Sequence, residues 1–550
     1  MLDKQTNKQT NKQIWIKTLI ASAMVFTSSS LFAAKVPAGV QLAERQYVAI
    51  AGTEPETLDP QRMSGSPEGD IARQLFEGLF VNDPDGKVVP ALAYKWEHND
   101  DYTQWTFHIR PEAKWSNGEA VTAHDFVYAW QRLIDPKNAF KYADYLSILK
   151  LVNADEIIKG DKPVESLGIK AIDDHTLVLT LSHSIPYIPD LLTHYVLSPT
   201  PKKIIEKYGE RWVSPENMVG NGAYLIDQRV VNEKITFKRN PMYWNDKETV
   251  IDKAEILMIT SENAVNRYRA NDLVLAGVPS VMYKKLKEEY PSHMLVNQRL
   301  TNSTLQINLQ RDHFKDVRVR KALSLAVDRD ILAKNVLGRG EKAAYLFTPK
   351  IINGAEKFKD PDFASWTQEE RNKEAIRLLK EAGYSKQKPL EFELLYYKNE
   401  SLKNIMVAVD SMWKKNLQGI VKVTLRNQEW KTYLGTRSEG KFDMVWAAWG
   451  ADYNEATTYL NYFLSNSTFN DIGFKDEKYD ELVKSSYKAK TDEERRNIYA
   501  QAEERLISLH PMISLYSPIG VSLKRPYLKG YEGKDPQSQF RFKDWYLEKY

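Results

Sequence analysis

Short segments of alternating apolar and polar residues occur in the first third of the chain. Residues 104–110 alternate like a half-buried strand, and residues 175–181 do the same. Further along, apolar residues recur at the three- and four-residue spacing of amphipathic helices. Strand and helix patterns therefore mix along the chain, which predicts α/β lobes rather than a helical bundle or a β-sandwich.

Three helices are predicted in the second half. Residues 316–334 have apolar positions at roughly helical spacing. Residues 367–382 open on Thr-Gln-Glu-Glu, a capping-box pattern, and stop before Gly383. Residues 491–509 form another amphipathic pattern, which Pro511 ends. A chain of 550 residues exceeds what one core supports, so we expect two or three lobes.

The first 33 residues differ from the rest of the chain. Four lysines precede a mostly apolar run from Thr18 to Phe32, which is short for a membrane span and ends at Ala33-Ala34. Small residues at that boundary suit signal peptidase. We interpret residues 1–33 as a removable secretory signal, with an uncleaved anchor as the alternative.

Cysteine is absent from the chain. It therefore has no lipid-modified cysteine of the kind that tethers many secreted bacterial binding proteins, and no thiol nucleophile or thiolate metal ligand. A freely diffusing protein of the Gram-negative periplasm, without a lipid anchor, fits these features.

Charge and composition narrow the class of partner. The formal net charge is +4, and residues 1–33 hold four lysines and one aspartate, so the remainder is close to neutral with interspersed charges. That distribution excludes nucleic acid as a partner. The 30 tyrosines and 13 tryptophans suit either a cavity lined with flat side chains or a large core.

A search for reactive motifs gives no catalytic constellation. The chain lacks HExxH, a G-x-S-x-G elbow, a phosphate-binding loop and a dinucleotide fingerprint. Residues 65–69 superficially resemble a nucleophile turn but have the wrong spacing, so we interpret them as a surface turn. The nine histidines are scattered and do not pair at a metal-ligand spacing. We therefore expect a binding protein without catalytic residues, metal or cofactor.

Several longer motifs are recognisable. Residues 34–44 read AKVPAGVQLAE, and the block from Pro90 to Arg132 contains ALAYKW and WTFHIRPEAKWSNGEAVTAHDFVYAW. FKDVRVRKAL (314–323), NQEWK (427–431), WGADYNE (449–455) and GYEGKDP (530–536) follow. Together they resemble the periplasmic dipeptide-, oligopeptide- and nickel-binding family over nearly the whole chain after residue 33.

The resemblance implies an α/β periplasmic-binding-protein fold with two lobes, a hinge, a cleft between the lobes and an additional third domain. Lobe I would comprise residues 34–77, 202–303 and 520–550, lobe II residues 78–201, and lobe III residues 304–519. We expect closure around ligand at the hinge. The block with W-T-F and D-F-V-Y-A-W we interpret mainly as core of lobe II.

The family's function implies capture of oligopeptides and delivery to an inner-membrane ABC permease, by a protein that we expect to be monomeric. A general peptide binder has to recognise what all peptides share, namely the main chain and the charged ends. Asp452 matches the family's aspartate that pairs with the peptide α-ammonium. From the residues alone, a helix cap or turn aspartate is the alternative.

The peptide carboxylate would be bound by basic residues, each suited to a different peptide length. Arg437 stands at one such position of the family, Lys403 replaces a histidine, and Arg311 replaces a lysine. A further family arginine is here Trp446, which predicts weak binding of the shortest peptides and a preference for longer ones or for an apolar group. A solvated surface charge is the alternative for each basic residue.

Aromatic side chains are expected to form pocket walls. Trp430 and Trp449 are the first candidates and Tyr142 and Tyr516 further ones, with core packing as the alternative for each. Gly450 and Ser66 complete the expected ligand-binding set. The family has a disulfide whose positions match Thr301 and Gly450 here, so packing has to replace it.

Other functions remain open from the sequence. A relative with the same fold that binds a murein tripeptide or haem is the main alternative, and nickel is disfavoured by the scattered histidines. A periplasmic peptidase needs a nucleophile or metal. A peptide chaperone would bind long chains without needing their ends.

Overall fold

The structure is a computed structural model that describes residues 36–489 and 491–550. The predicted secretory signal, residues 1–33, lies outside the described residues. Within them, no helix is both long and apolar enough to cross a membrane.

Strands and helices alternate as the patterns predict. The strands are β1 (Tyr47–Gly52), β2 (Phe80–Asn82), β3 (Val88–Pro90), β4 (Ala93–His98), β5 (Gln104–Ile109), β6 (Ile169–Asp173), β7 (Thr176–Thr180), β8 (Tyr224–Val230), β9 (Lys234–Arg239), β10 (Lys253–Met258), β11 (Leu275–Gly277), β12 (Met294–Gln298), β13 (Ser303–Ile307), β14 (Lys342–Ala343), β15 (Leu390–Tyr397), β16 (Val421–Gln428), β17 (Met444–Ala447), β18 (Met512–Ser517), β19 (Ile519–Lys524), β20 (Leu528–Lys529) and β21 (Tyr546–Leu547). The α-helices are α1 (Ser66–Leu75), α2 (Ala123–Ile134), α3 (Tyr145–Ile148), α4 (Ala154–Ile158), α5 (Ile188–Leu191), α6 (Lys202–Tyr208), α7 (Ser261–Arg269), α8 (Tyr283–Glu289), α9 (Val317–Leu325), α10 (Arg329–Ile331), α11 (Gln368–Glu381), α12 (Glu400–Asn416), α13 (Trp430–Ser438), α14 (Thr457–Leu460), α15 (Glu477–Ser486) and α16 (Asp492–Leu509).

Three large sheets organise the described chain. A seven-stranded sheet has the order β12-β19-β11-β1-β10-β9-β8, and a six-stranded sheet has the order β14-β18-β13-β17-β15-β16. A four-stranded antiparallel sheet, β4-β5-β7-β6, forms the third. We call the parts built on the seven-, four- and six-stranded sheets lobes I, II and III, and we keep the residue boundaries given above as a proposal.

Two adjacent crossovers join lobe I to lobe III. β12 leads into β13, and β18 leads back into β19. The two crossovers run antiparallel, since Gln298 pairs with Ile519 on one side and Ser303 with Tyr516 on the other. Such a pair of short segments is the arrangement in which two lobes rotate as units about a hinge.

Most local predictions are confirmed. Residues 104–110 and 175–181 become β5 and β7, which pair with each other from Gln104 and Thr180 onward. Thr367 caps α11 in a capping box with Glu370, and Thr491 caps α16. Local hydrogen bonding decides these boundaries, so they are visible in the sequence.

The single helix predicted over residues 316–334 is wrong. α9 stops at Leu325, and a new turn begins because the Asp328 carboxylate accepts a hydrogen bond from the Ile331 amide at 3.0 Å. The chain then continues as a π-helix, Leu332–Leu337. A capping aspartate within an apolar pattern therefore divides the predicted helix.

The aromatic block that contains W-T-F and D-F-V-Y-A-W packs inside lobe II. Trp105 and Phe107 on β5 and Phe126 and Trp130 on α2 are buried in one core. The prediction that this block is core is confirmed.

Candidate functional site

Three neighbouring strands of lobe III end at the same edge of the sheet. β15 is parallel to both β16 and β17, with Tyr397 opposite Gln428 and Leu395 opposite Val445. Ligands of α/β sheets bind outside the carboxyl ends of parallel strands. The chain places its predicted tryptophans and Asp452 at or just beyond these ends.

Asp452 lies at this edge, against lobe II. Its Oδ1 accepts a hydrogen bond from the Tyr142 hydroxyl at 3.0 Å and lies 3.2 Å from His194 Nε2. The backbone amide of Asp452 donates to the Thr458 hydroxyl at 3.1 Å, which fixes the turn that carries the carboxylate. The Asp452 side chain is 11% exposed, and none of the described residues donates to its Oδ2. A buried carboxylate with one uncommitted oxygen therefore lies between two lobes.

The tyrosines around Asp452 are kept neutral. Burial, and then the Asp452 carboxylate, raise the pKa of Tyr142 well above its ordinary value, so this hydroxyl remains a donor. The pKa values of Tyr145 and Tyr195 are raised by the same two causes. An anion in such a shell of low polarity interacts strongly with any cation that enters.

A small cavity of about 20 Å³ adjoins Asp452. Trp449 forms part of its wall, with its ring 4.7 Å from that of Tyr462 and 4.8 Å from that of Phe469. The Trp449 indole N–H donates to the Thr458 carbonyl at 3.0 Å, which fixes the ring. Trp449 is thus packed on one side and partly exposed, so its role as a wall of the ligand pocket stays a prediction.

Trp430 connects the site to lobe I. Its indole N–H donates to Glu68 Oε1 on α1 at 3.2 Å, and its ring lies 5.2 Å from that of Tyr397. Ser66 is exposed in the first turn of α1, close to this contact. An added Cβ at Gly65 would lie 2.8 Å from the Trp430 ring, so only glycine permits this approach.

Trp446 and Arg437 lie deeper in lobe III. The Trp446 indole donates to the Ser303 hydroxyl at 3.0 Å and its ring lies 5.4 Å from that of Tyr397. Arg437 Nη2 lies 3.1 Å from Asp471 Oδ2 and donates to the Tyr462 hydroxyl at 2.9 Å. Arg437 is therefore an internally paired side chain in this structure.

The other predicted residues are less closely associated with Asp452. Lys403 is exposed in the first turn of α12, at the site's edge of the sheet, with its Nζ 3.5 Å from Glu400. Tyr516 is buried on β18 opposite Ser303. Gly450 is exposed and bridges to Thr301.

Arg311 is not brought to the site. It follows β13, which runs antiparallel to β17, so it lies at the opposite edge of the sheet from Asp452. There its Nε lies 3.2 Å from Asp443 and donates to the Phe442 carbonyl at 3.0 Å. We leave Arg311 out of the candidate site.

Four residues of this region were missed from the sequence. They are His194, Glu68, Lys141 and Asp471. Each acquires its role from a partner far away in the chain, as His194 does from Asp452. A single sequence contains no periodic or motif signal for such pairs.

A family model described as bacterial extracellular solute-binding proteins, family 5, middle, matches residues 87–471. The chain belongs to this family. The periplasmic oligopeptide-binding protein OppA of Salmonella typhimurium is 45% identical to this family 5 chain over 541 residues, 97% of this chain and 99% of that protein. The resemblance inferred from the sequence motifs is thereby confirmed.

Solved structures agree with the fold and indicate the conformation. A crystal structure of Haemophilus influenzae OppA in complex with RPPGFSPFR is 45% identical, covers 92% of this chain and all of that one, and gives a TM-score of 0.91. One structure of the Escherichia coli murein tripeptide binding protein MppA is 38% identical and covers 92% of this chain and all of that one. Its TM-score is 0.90. The unliganded open form of MppA gives a TM-score of only 0.65, although the match covers 94% of this chain and 99% of that one. The predicted fold class is confirmed, and the lobes of this chain are arranged as in the first two structures rather than as in the open form.

Proposed function

We propose that this protein captures oligopeptides in the periplasm and delivers them to an ABC importer of the inner membrane, without catalysing a reaction and as a monomer. The observation that carries this proposal is the Asp452 carboxylate, which is buried between lobes II and III with Oδ2 uncommitted among the described residues. A peptide α-ammonium is a cation of suitable size for that oxygen.

The surrounding elements suit a peptide. The ends of β15 and β17 offer backbone edges for main-chain hydrogen bonds, and Trp430 and Trp449 offer flat walls that accept varied side chains. Tyr142 orients the carboxylate. Gly450 leaves room for a close approach of ligand backbone. The full-length similarity to OppA proteins supports the same class of ligand.

The test is the affinity of ligand-free protein for tetra-alanine and for N-acetyl-tetra-alanine, measured by calorimetry. We expect acetylation, and separately Asp452→Asn, to weaken binding at least thirtyfold, because each removes one charge of a desolvated pair. Equal affinity for the two peptides would refute amino-end recognition.

Native mass spectrometry of the protein purified from cells identifies the cargo directly. A set of short peptides of mixed sequence supports the proposal. A single defined ligand, such as a murein peptide or haem, would contradict it.

A further inference from the structure

One carboxylate in lobe III binds cations from two lobes. Asp471 Oδ1 lies 2.7 Å from Lys141 Nζ of lobe II, and Asp471 Oδ2 lies 3.1 Å from Arg437 Nη2 of lobe III. The Asp471 and Arg437 side chains are 6% and 13% exposed. Buried pairs of this kind are tightly held, because separating them leaves a charge without a partner.

Arg437 has further internal partners. It donates to the Tyr462 hydroxyl, and its guanidinium lies 5.9 Å from the centre of the Tyr433 ring. Tyr462 in turn packs its ring against Trp449. Arg437 thus lies one aromatic ring behind the wall of the candidate site, where a ligand carboxylate would otherwise be its natural partner.

We propose that Asp471 is an internal carboxylate partner that keeps Arg437 from binding the carboxylate of a ligand. The site then selects peptides by their amino end and not by a free carboxyl end. This inference rests on the proposed function and specifies its substrate class. The ligands are peptides whose carboxyl terminus is blocked, or peptides long enough for a free carboxyl terminus to lie outside the buried region.

The other positions expected to bind the peptide carboxylate agree with this proposal. Trp446 is uncharged and bonded to Ser303. Arg311 is held by Asp443 at the far edge of the sheet. Lys403 is exposed to solvent, where an ion pair with a ligand is weak.

The first test compares tetra-alanine with tetra-alanine amide on the wild-type protein by calorimetry. We expect their affinities to agree within about threefold, because Arg437, the buried arginine behind the Trp449 wall, is already paired with Asp471. A preference of tenfold or more for the free acid would overturn the proposal.

The second test uses the Asp471→Asn variant, which removes the carboxylate that pairs with Arg437. Lys141 and Arg437 then face each other without an anion, so a ligand carboxylate becomes favourable between them. We expect the acid to bind at least about tenfold more tightly than the amide, as for a charge-assisted hydrogen bond. An acid-to-amide ratio that stays near one would overturn the proposal.

Two variants serve as controls. Asp443→Asn removes the matching aspartate beside Arg311 and should leave the ratio near one. Lys141→Gln keeps the Arg437–Asp471 pair and should also leave the ratio near one, although closure weakens for both peptides. If Asp471→Asn does not fold, the wild-type comparison alone still decides.

Acetylated tetra-alanine separates this inference from the proposed function. Unchanged affinity after acetylation refutes amino-end recognition, and with it the role of Asp452 in the proposed function. A large loss on acetylation, combined with a strong preference for the free acid, refutes only the role of Asp471.

Discussion

Thr301 and Gly450 face each other as an antiparallel bridge between the lobe I–lobe III crossover and the turn that carries Asp452. The Asn302 amide donates to the Trp449 carbonyl at 3.1 Å and the Ala451 amide to the Leu300 carbonyl at 2.8 Å. The two residues are therefore a non-hydrogen-bonded pair, the type in which side chains approach most closely. This bridge connects the hinge to the candidate site.

A disulfide should form when Thr301→Cys and Gly450→Cys are combined. A Cβ built on Gly450 lies 3.6 Å from Thr301 Oγ1 in ordinary contact, and the chain has no other cysteine to compete. Closing so long a loop should raise the free energy of unfolding by about 2–4 kcal/mol. Urea unfolding with and without reductant measures the gain, with both single variants as controls. Two thiols that remain titratable after oxidation would contradict the inferred geometry.

Tyr142→Phe should weaken peptide binding about three- to tenfold. The variant removes the hydroxyl that donates to Asp452 Oδ1 and therefore leaves the carboxylate less well oriented. Calorimetry with tetra-alanine gives the affinity. Tyr145→Phe is the matched control, because its hydroxyl donates to the Leu191 carbonyl at 2.9 Å and not to Asp452. An equal loss in both variants would mean that only packing is affected.

Acid should destabilise the protein through His510, which ends α16 with a left-handed backbone and is buried. Burial, and then the nearby Lys321 and Arg320, lower the pKa of His510 to about 3. As the pH falls below 6.5, His510 therefore becomes protonated in the unfolded chain but stays neutral in the folded chain. Stability present above pH 6.5 is lost as the pH falls toward 3.

His510→Asn should flatten this dependence, and asparagine suits the left-handed backbone. Between pH 6 and 4 we expect the slope of the free energy of unfolding to fall by about 1.4 kcal/mol per pH unit. Urea unfolding over a pH series measures the slope. Above pH 7 the two slopes should agree, which is the internal control. Parallel curves between pH 6 and 4 would show that His510 is not the titrating group.

Local signals predicted much of the fold. The cap at Thr367 and the alternation in β5 act within a few residues, so the sequence specifies them without reference to the rest of the molecule. The prediction of a single helix over residues 316–334 was wrong for an equally local reason. The Asp328 cap competes with the apolar pattern and ends it.

The candidate site was harder to predict from the sequence than the fold. Asp452 was found through resemblance, but His194 lies 258 residues away in the chain and contacts it from lobe II. Arg437 was expected to be available to ligand, and the partner that occupies it, Asp471, is distant in the chain and carries no motif. Contacts between lobes depend on how the lobes are arranged, which periodicity does not encode.

Trp446 should make the protein discriminate against the shortest peptides. Its ring packs on Tyr397 and its indole N–H is bonded to Ser303, so an uncharged group lies at a position where the resemblance implies an arginine. We expect di-alanine to bind at least tenfold more weakly than tetra- or penta-alanine in a calorimetric series, and Trp446→Arg to narrow that difference. Trp446→Phe, which keeps an apolar ring, should not narrow it. Tightest binding of the dipeptide by the wild type would refute the role of Trp446, because a buried cation elsewhere would then have to bind the nearby carboxylate.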